Sequence, residues 1–174
     1  MSAHAMPSRR RGVTFLELTV VVLFVGLLAA ISTPRFASTL QHRQLRHAAL
    51  EIADTVRYVQ SVAITEGRTA NLTVDPEQCA VISTNVDASS TPGTTIQLNL
   101  RTAYDSTINL YASFDSRLSM VFDFDGRPIV NDQLMSMGII RVVSGNEGYD
   151  VRFNSRGNEV IVVPTDNDVI EFLD

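Results

Sequence analysis

The sequence predicts an α+β fold in which one long N-terminal helix packs on a C-terminal antiparallel β-rich head. An apolar run and then an amphipathic pattern with helical spacing extend to about Glu66. Beyond Gly67 this spacing stops, and short runs of β-branched and aromatic residues alternate with turn residues. The 174 residues, of which 45% are hydrophobic, are enough for one globular domain and one apolar helix.

The apolar run extends from Val13 to Ile31 and contains one charged residue, Glu17. Its length is close to that needed to cross a hydrocarbon core of about 30 Å as a helix. We therefore predict a membrane-spanning helix over residues 13–34. The basic cluster at residues 9–11 precedes it, which predicts a cytoplasmic N-terminus and a single-pass topology with the head on the far side of the membrane.

Two other kinds of segment begin in a similar way. A secretory signal peptide would be cleaved near Ala29, Ala30 and Ser32, but its apolar region is usually only about 7–15 residues long. A plain membrane anchor leaves Glu17 unexplained, because a carboxylate at the centre of a bilayer costs about 2.5 kcal/mol or more. The simplest alternative for Glu17 is a position near the membrane surface, where its carboxylate reaches headgroup water.

The segment 35–66 has the pattern of an amphipathic helix that continues the apolar one through Pro34 and ends before Gly67. Its charged side chains are predicted to be solvated or to pair with a neighbouring chain; they are Arg43, Arg46, Asp54 and Arg57. Its apolar stripe is predicted to pack on the head and consists of Leu45, Ala49, Ile52, Val56, Val59, Val62 and Ala63.

Residues 67–174 form the predicted β-rich head, with loops at Asn85–Gly93 and Asn131–Met137 and a hairpin closed by the glycine-containing loop NSRGN. The predicted strands are Ala70–Val74, Ala80–Ser83, Thr94–Leu100, Thr107–Tyr111, Leu118–Phe122, Gly138–Val143, Tyr149–Phe153 and Glu159–Val163.

Charge and cysteine content exclude some classes of protein. The net charge of −5 becomes −8 without the three arginines at 9–11, since 11 basic residues then face 19 acidic ones. An acidic body disfavours tight binding to nucleic acid, whose affinity depends on cationic side chains. Cys79 is the only cysteine, which excludes an internal disulfide. It is predicted to be a small buried apolar residue, and an intermolecular bridge is the alternative.

The sequence has no catalytic motif or cofactor motif, so neither an enzyme nor a cofactor is predicted. His42 and His47 lie on the predicted helix without a cluster of metal-ligating residues, which predicts solvated or packed side chains. The weak calcium candidates are Asp123 and Asp125, before a glycine, and a similar acidic turn at residues 166–168. The bidentate glutamate of a complete calcium loop is missing, so no metal site is predicted.

The stretch RRRG-VTFLELTVVVLFVGLLAAISTPRF resembles the class III signal of type IV pilins and type II secretion pseudopilins. The resemblance implies that a prepilin peptidase removes residues 1–12 by cutting between Gly12 and Val13 and methylates the new amine of Val13. Glu17 would then be the fifth residue of the processed chain, where it neutralises the amine of a neighbour during filament assembly. Gly26 and Pro34 fall where the family has helix-loosening residues.

The long helix before a β-rich head resembles the GspH/FimT branch of minor pilins and pseudopilins, on the two turn segments VFDFDGRP (121–128) and VRFNSRGN (151–158). This resemblance implies a pilin-like fold and a minor pseudopilin of a type II secretion system in the bacterial inner membrane, with a periplasmic head. The implied partners are other pseudopilins or pilins, the prepilin peptidase and the inner-membrane assembly platform. The alternatives are a minor type IV pilin in pilus assembly or DNA uptake and, third, a membrane-anchored enzyme.

Overall fold

The computed structural model describes residues 14–88, 91–154 and 159–165, and the side chains at 30–39 and 91–92 are outside this description. The predicted cleavage site at Gly12 and Val13, the hairpin loop at 155–158 and the acidic turn at 166–168 lie outside the described residues. The chain divides into two compact units, Met1–Thr39 and Leu40–Asp174.

The first helix, α1, extends from Phe15 to Glu66, so the predicted long N-terminal helix is confirmed. It ends in a Schellman motif, in which the backbone N–H of Arg68 donates to the carbonyl of Ala63 at 3.2 Å. Gly67 has the positive φ of +61° that this motif requires, which explains why the helix stops where the sequence predicts.

The head consists of two antiparallel sheets with the strand orders β3-β2-β1-β5-β6-β7 and β10-β9-β8-β4. A short helix, α2, spans Leu100–Ala103 between β3 and β4. The strands are β1 Ala70–Asp75, β2 Ala80–Ala88, β3 Thr91–Asn99, β4 Asn109–Phe114, β5 Ser119–Phe122, β6 Pro128–Val130, β7 Gln133–Leu134, β8 Met137–Ser144, β9 Glu147–Asn154 and β10 Val160–Pro164.

One hydrophobic core joins the amphipathic part of α1 to both sheets of the head. The predicted apolar stripe of the helix lies in this core; Val62 is half-buried and its other six residues are buried. From the sheets, Leu72, Phe114, Phe122 and Ile140 are fully buried. Each such side chain contributes roughly 1.5–3 kcal/mol when it leaves water. The predicted α+β architecture is therefore confirmed, with α1 packed on the β-rich head.

All eight predicted strands are present, but the predicted loop at Asn85–Gly93 is wrong for most of its length. Strand β2 continues to Ala88, and β3 begins at Thr91. The polar residues of this segment are typical of a loop, but β2 continues through them with a register shift between Ser83 and Asp87. Asn85 holds this irregularity in place, because its side-chain oxygen accepts from the backbone N–H of Asn71 at 2.8 Å.

The predicted loop at Asn131–Met137 is also partly wrong, because it contains β7 and the first residue of β8. Asn131 and Asp132 have φ values of +51° and +62° and connect β6 to β7. Two such residues are typical of a type I′ hairpin. The predicted hairpin near the C-terminus is confirmed, since β9 and β10 pair antiparallel.

Within the described residues, no helix is both long enough and apolar enough to cross a membrane.

The turn after β5 packs directly against α1. The carbonyl of Gly126 accepts from the side-chain amide of Gln60 at 2.7 Å. A Cβ atom at Gly126 would lie 2.6 Å from Cδ1 of Ile64, and the φ of +78° also disfavours a side chain there. Glycine is required at this position for close packing as well as for the backbone conformation.

We expect Gly126→Ala to lower the free energy of unfolding of a chain beginning at Arg35 by about 2–4 kcal/mol, from overpacking and backbone strain together. The matched control is Gly145→Ala, where φ is +60° and no atom lies within 4 Å of the added Cβ. The control should lose only about 1–2 kcal/mol. Equal losses in urea denaturation would contradict the packing role of Gly126.

Candidate functional site

The described part of α1 within the first unit is apolar on all sides. Every residue from 14 to 29 is exposed, including Phe15 at 82% and Phe24 at 60%. A helix that is hydrophobic all round is stable in contact with lipid or with other apolar helices rather than with water. This surface is the first candidate functional site of the protein.

The helix begins with a cap that involves Glu17. The backbone N–H of Glu17 donates to Oγ1 of Thr14 at 3.2 Å, which makes Thr14 the N-cap. The spacing Thr14-x-x-Glu17 is that of a capping box, a signal which the sequence analysis missed. Among the described residues the carboxylate of Glu17 has no hydrogen-bond or ion-pair partner, and it lies in the first turn, where the helix dipole favours a negative charge.

The two residues predicted to loosen the helix lie inside α1. A Cβ at Gly26 would have no atom within 4 Å, so no packing within the described chain requires glycine there. Glycine costs a helix roughly 0.5–1 kcal/mol relative to alanine. The helix passes through Pro34, which has no N–H to donate to the preceding turn.

In the second unit, α1 is held to the β8–β9 hairpin by polar contacts that the sequence did not reveal. The side-chain amide of Gln41 donates to Oγ of Ser144 at 2.7 Å. His42 lies with Nδ1 3.2 Å from Oε2 of Glu147 and Nε2 2.9 Å from the hydroxyl of Tyr149. His42 therefore packs on the hairpin, as one of the two predicted alternatives, while His47 is exposed.

A buried ion cluster lies on the second sheet. Asp150 is fully buried and pairs across the strands with Arg141, whose Nε donates to Oδ1 at 2.7 Å and whose second contact to Oδ2 is 3.1 Å. Arg152 and Thr165 also donate to this carboxylate, both at 2.9 Å. Four contacts to one carboxylate fix β8, β9 and the residue after β10 to one another.

The surroundings of Asp150 have opposing effects on its ionisation. Burial raises the pKa of the carboxyl, whereas hydrogen bonds from Arg141, Arg152 and Thr165 lower it, so that its pKa lies below the usual 3.8. The same contact raises the pKa of Arg141, although burial opposes this. Asp150 is therefore charged at neutral pH, and its carboxylate holds β8 and β9 together.

A groove of about 380 Å³ separates α1 from the edge strand β3. We call it the acidic groove, because the carboxylates of Glu51 and Asp54 line its helical side. Tyr58, Ile96 and Leu98 also line it.

Both carboxylates of the acidic groove already have one contact. Glu51 accepts from the hydroxyl of Tyr104, and Asp54 accepts from Arg57 at 2.9 Å. Burial and the bond to Glu51 raise the pKa of Tyr104 to about 12. The side chain of Asp54 is nevertheless 74% exposed and retains free acceptor positions.

The calcium candidates have structural contacts instead. The carboxylate of Asp123 accepts from the backbone N–H groups of Asp125 and Arg127, at 2.9 and 2.7 Å. Asp125 lies 3.7 Å from Arg127 in an exposed ion pair. Across the part of the chain that the structure describes, no group of three histidine, cysteine, aspartate or glutamate side chains could hold a metal ion.

Cys79 is fully buried, as predicted for a small apolar residue. Burial raises the pKa of its thiol, which Arg101 partly opposes.

The fold is similar to those of solved minor pilins and of a minor pseudopilin. The type IV minor pilin FimU of Pseudomonas aeruginosa gives a TM-score of 0.51 at 12% identity, over 74% of this chain and 92% of FimU. The minor pseudopilin EpsH, from the type 2 secretion system of Vibrio cholerae, gives 0.52 at 10% identity, over 70% of this chain and 97% of EpsH. The pilin-like fold is therefore confirmed, and it does not separate the two classes.

The sequence comparison points in the same direction. The fimbrial protein EcpB of Eikenella corrodens is 31% identical over 74 residues, which are 42% of this chain and 45% of EcpB. The chain thus matches less than half the length of that relative. No model of a known protein family matches the chain.

We expect Asp150→Asn to lower the free energy of unfolding by about 3 kcal/mol at pH 7, because Arg141 would remain buried without its counter-ion. The control Glu147→Gln removes an exposed contact to His42 and should cost less than about 1 kcal/mol. Denaturant unfolding of the chain beginning at Arg35 measures both values. A loss below about 1 kcal/mol for Asp150→Asn would contradict a stabilising role of the cluster.

The same variant tests how the contribution of Asp150 to stability depends on pH. Because the folded-state pKa of Asp150 is lowered, its contribution is complete above 3.8 and is lost as the pH falls through the lower folded value. The stability difference between wild type and Asp150→Asn should therefore shrink below pH 3.8.

Proposed function

We propose that this protein is a minor pseudopilin of a type II secretion system, a structural subunit of a membrane-anchored filament that aids the export of folded proteins. The observation that carries the proposal is an all-round apolar helix segment in a chain whose head has the pilin-like fold. The absence of a C-terminal cysteine pair favours a pseudopilin, since many pilins close a loop there.

A minor type IV pilin is the second candidate function. The similarity of the fold to FimU and the partial identity to the fimbrial protein EcpB favour it. Its DNA-uptake form would require a cationic surface, whereas the chain without residues 9–11 carries a net charge of −8, from 11 basic and 19 acidic residues. Both candidates are structural subunits rather than enzymes.

Loss of the gene separates the two candidates. For a pseudopilin we expect a strain without this chain to retain folded substrate proteins in the periplasm while its surface pili and their retraction stay normal. Export is measured as the secreted fraction of a substrate enzyme, and complementation with the full chain is the control. Normal export together with defective pili or reduced DNA uptake would favour the pilin.

The membrane and processing steps also belong to this proposal. The sequence Val13–Ile31 has the length of a membrane span, and the basic cluster before it favours a cytoplasmic N-terminus in the bacterial inner membrane. Cleavage between Gly12 and Val13 by a prepilin peptidase, followed by methylation of Val13, would place a positive amine four residues before Glu17. The assembly platform and other pilin-like subunits are the proposed partners.

Glu17 then has two roles that act at the same end of the helix. Its position in the first turn stabilises the helix, because the dipole and the Thr14 cap favour an acidic residue there. Its carboxylate has no partner among the described residues and remains available to the amine of a neighbouring subunit. The local role depends on the helix, whereas the assembly role depends on charge in a second chain.

We expect Glu17→Gln and Glu17→Leu to leave membrane insertion and the fold of the head unchanged and to reduce incorporation into filaments, since neither side chain neutralises an amine. Thr14→Ala is the matched control: it removes the cap, at a cost of about 1 kcal/mol, and keeps the carboxylate.

Crosslinking to partner subunits measures incorporation, and N-terminal sequencing checks that each chain begins at Val13. Assembly of both Glu17 variants at wild-type levels would contradict the charge-pairing role. An equal defect in Thr14→Ala would assign the effect to the helix cap instead.

A further inference from the structure

The acidic groove is an open surface on the head and has the composition of a site for an arginine side chain. Its apolar residues Ile96 and Leu98 can contact the aliphatic stem, and the carboxylates of Glu51 and Asp54 can accept from the guanidinium group. Arg57 is a cation beside this groove, and it already binds Asp54 and the carbonyl of Val160. Two carboxylates facing one cation leave the groove net negative.

The same helix carries a pair of arginines that have no partner among the described residues. Arg43 and Arg46 are exposed, and neither has a hydrogen bond or an ion pair among the described residues. They are three residues apart, so they lie side by side on one face of α1, where their like charges repel. This pair of arginines is the complement of the acidic groove.

The spacing of the two pairs matches. Arg43 precedes Glu51 by eight residues, and Arg46 precedes Asp54 by the same eight. Eight residues of α-helix correspond to a rise of about 12 Å and a rotation of about 80°. Within one helix, each arginine is therefore too far from the carboxylate eight residues later to contact it. In a parallel copy displaced by about 12 Å along the helix axis, both arginines lie level with both carboxylates.

We propose that the acidic groove of one copy binds Arg43 and Arg46 of a second copy of this chain, with the two helices parallel and displaced by about 12 Å. The inference rests on the proposed filament function and deepens it by naming a contact between subunits. The groove and the arginine pair are different surfaces, so the contact is heterologous. A heterologous contact does not close on itself, so a pair of copies leaves one groove and one arginine pair free for further subunits.

Site-directed crosslinking of full-length chains in membranes tests this contact. Two differently tagged copies are expressed together, one with Arg46→Cys and the other with Asp54→Cys, and are treated with a bis-maleimide that spans about 10 Å, close to the reach of an ion pair between long side chains. The native Cys79 is buried in both copies, and the chain without added cysteines gives the background. Gln44→Cys replaces Arg46→Cys in the matched control, since Gln44 is exposed on another face of the same helix.

The expected result is a 46–54 crosslink at least about threefold stronger than the 44–54 crosslink.

A second experiment measures the crosslink between Arg43→Cys in one copy and Glu51→Cys in the other. It is repeated after the charges at positions 46 and 54 have been changed. Arg46→Glu in one copy should weaken this crosslink, because two negative charges then face each other. Asp54→Arg in the other copy should restore it, because opposite charges face each other again. The expected weakening is only roughly threefold, since exposed ion pairs contribute modestly.

Crosslinks of equal strength from positions 44 and 46, or the lack of any rescue by Asp54→Arg, would overturn the contact. If the chains are processed and recovered in filaments but show no 46–54 crosslink, this contact is wrong and the proposed function still holds. A crosslink from position 54 only to a different subunit would overturn the second copy as the occupant. If the wild-type chain is never recovered in filaments, the proposed function itself fails.

Discussion

The structure depends on one constraint: the single helix α1 has two apolar surfaces of different kinds, a stripe in its second part and an all-round surface in its first part. From Leu45 to Ala63 its apolar side chains form a stripe. The head covers this stripe, and the stripe and both sheets share one hydrophobic core. From Phe15 to Leu28 the apolar side chains occupy every side of the helix, and all of them are exposed in the described chain. Burying that second surface needs lipid or other helices, because an all-round apolar surface is unfavourable in water. The apolar stripe of the second unit is therefore covered within the chain, whereas the described apolar surface of the first unit is left uncovered by it.

Polar contacts connect the elements of the head to one another. The Asp150 carboxylate receives four contacts from Arg141, Arg152 and Thr165, which fix β8, β9 and the residue after β10 to one another. At the beginning of the second unit, Gln41 and His42 fasten the helix to the β8–β9 hairpin. The Asp123–Arg127 turn is docked on the other end of the helix through Gly126 and Gln60. These contacts hold the amphipathic part of α1 on the head at both ends.

The sequence predicts most of this fold because its periodicities are strong and local. The stripe from Leu45 to Ala63, the stop at Gly67 and eight strands follow from helical spacing, glycine and β-branched runs. The missed elements are those whose signal is weak or non-local. Strands β6 and β7 are very short, and the end of β2 is polar and depends on Asn71 and Asn85, which are distant in sequence. The Asp150 cluster was not predictable either, because Arg141 and Asp150 meet only when β8 and β9 pair.

The fold alone leaves two candidate functions. The minor pilin and the minor pseudopilin share this architecture although each is only 10–13% identical to this chain, so the fold depends on the pattern and volume of the apolar residues more than on their identity. If the chain is specific for one kind of filament, that specificity must reside in exposed residues, which packing does not constrain. The charges of α1 are of this kind: Arg43, Arg46 and Asp54 are exposed and contribute nothing to the core, and all three lie on the same continuous helix. Charges placed in this way add little stability, and in the proposed contact between copies they would determine which neighbour fits and at what displacement.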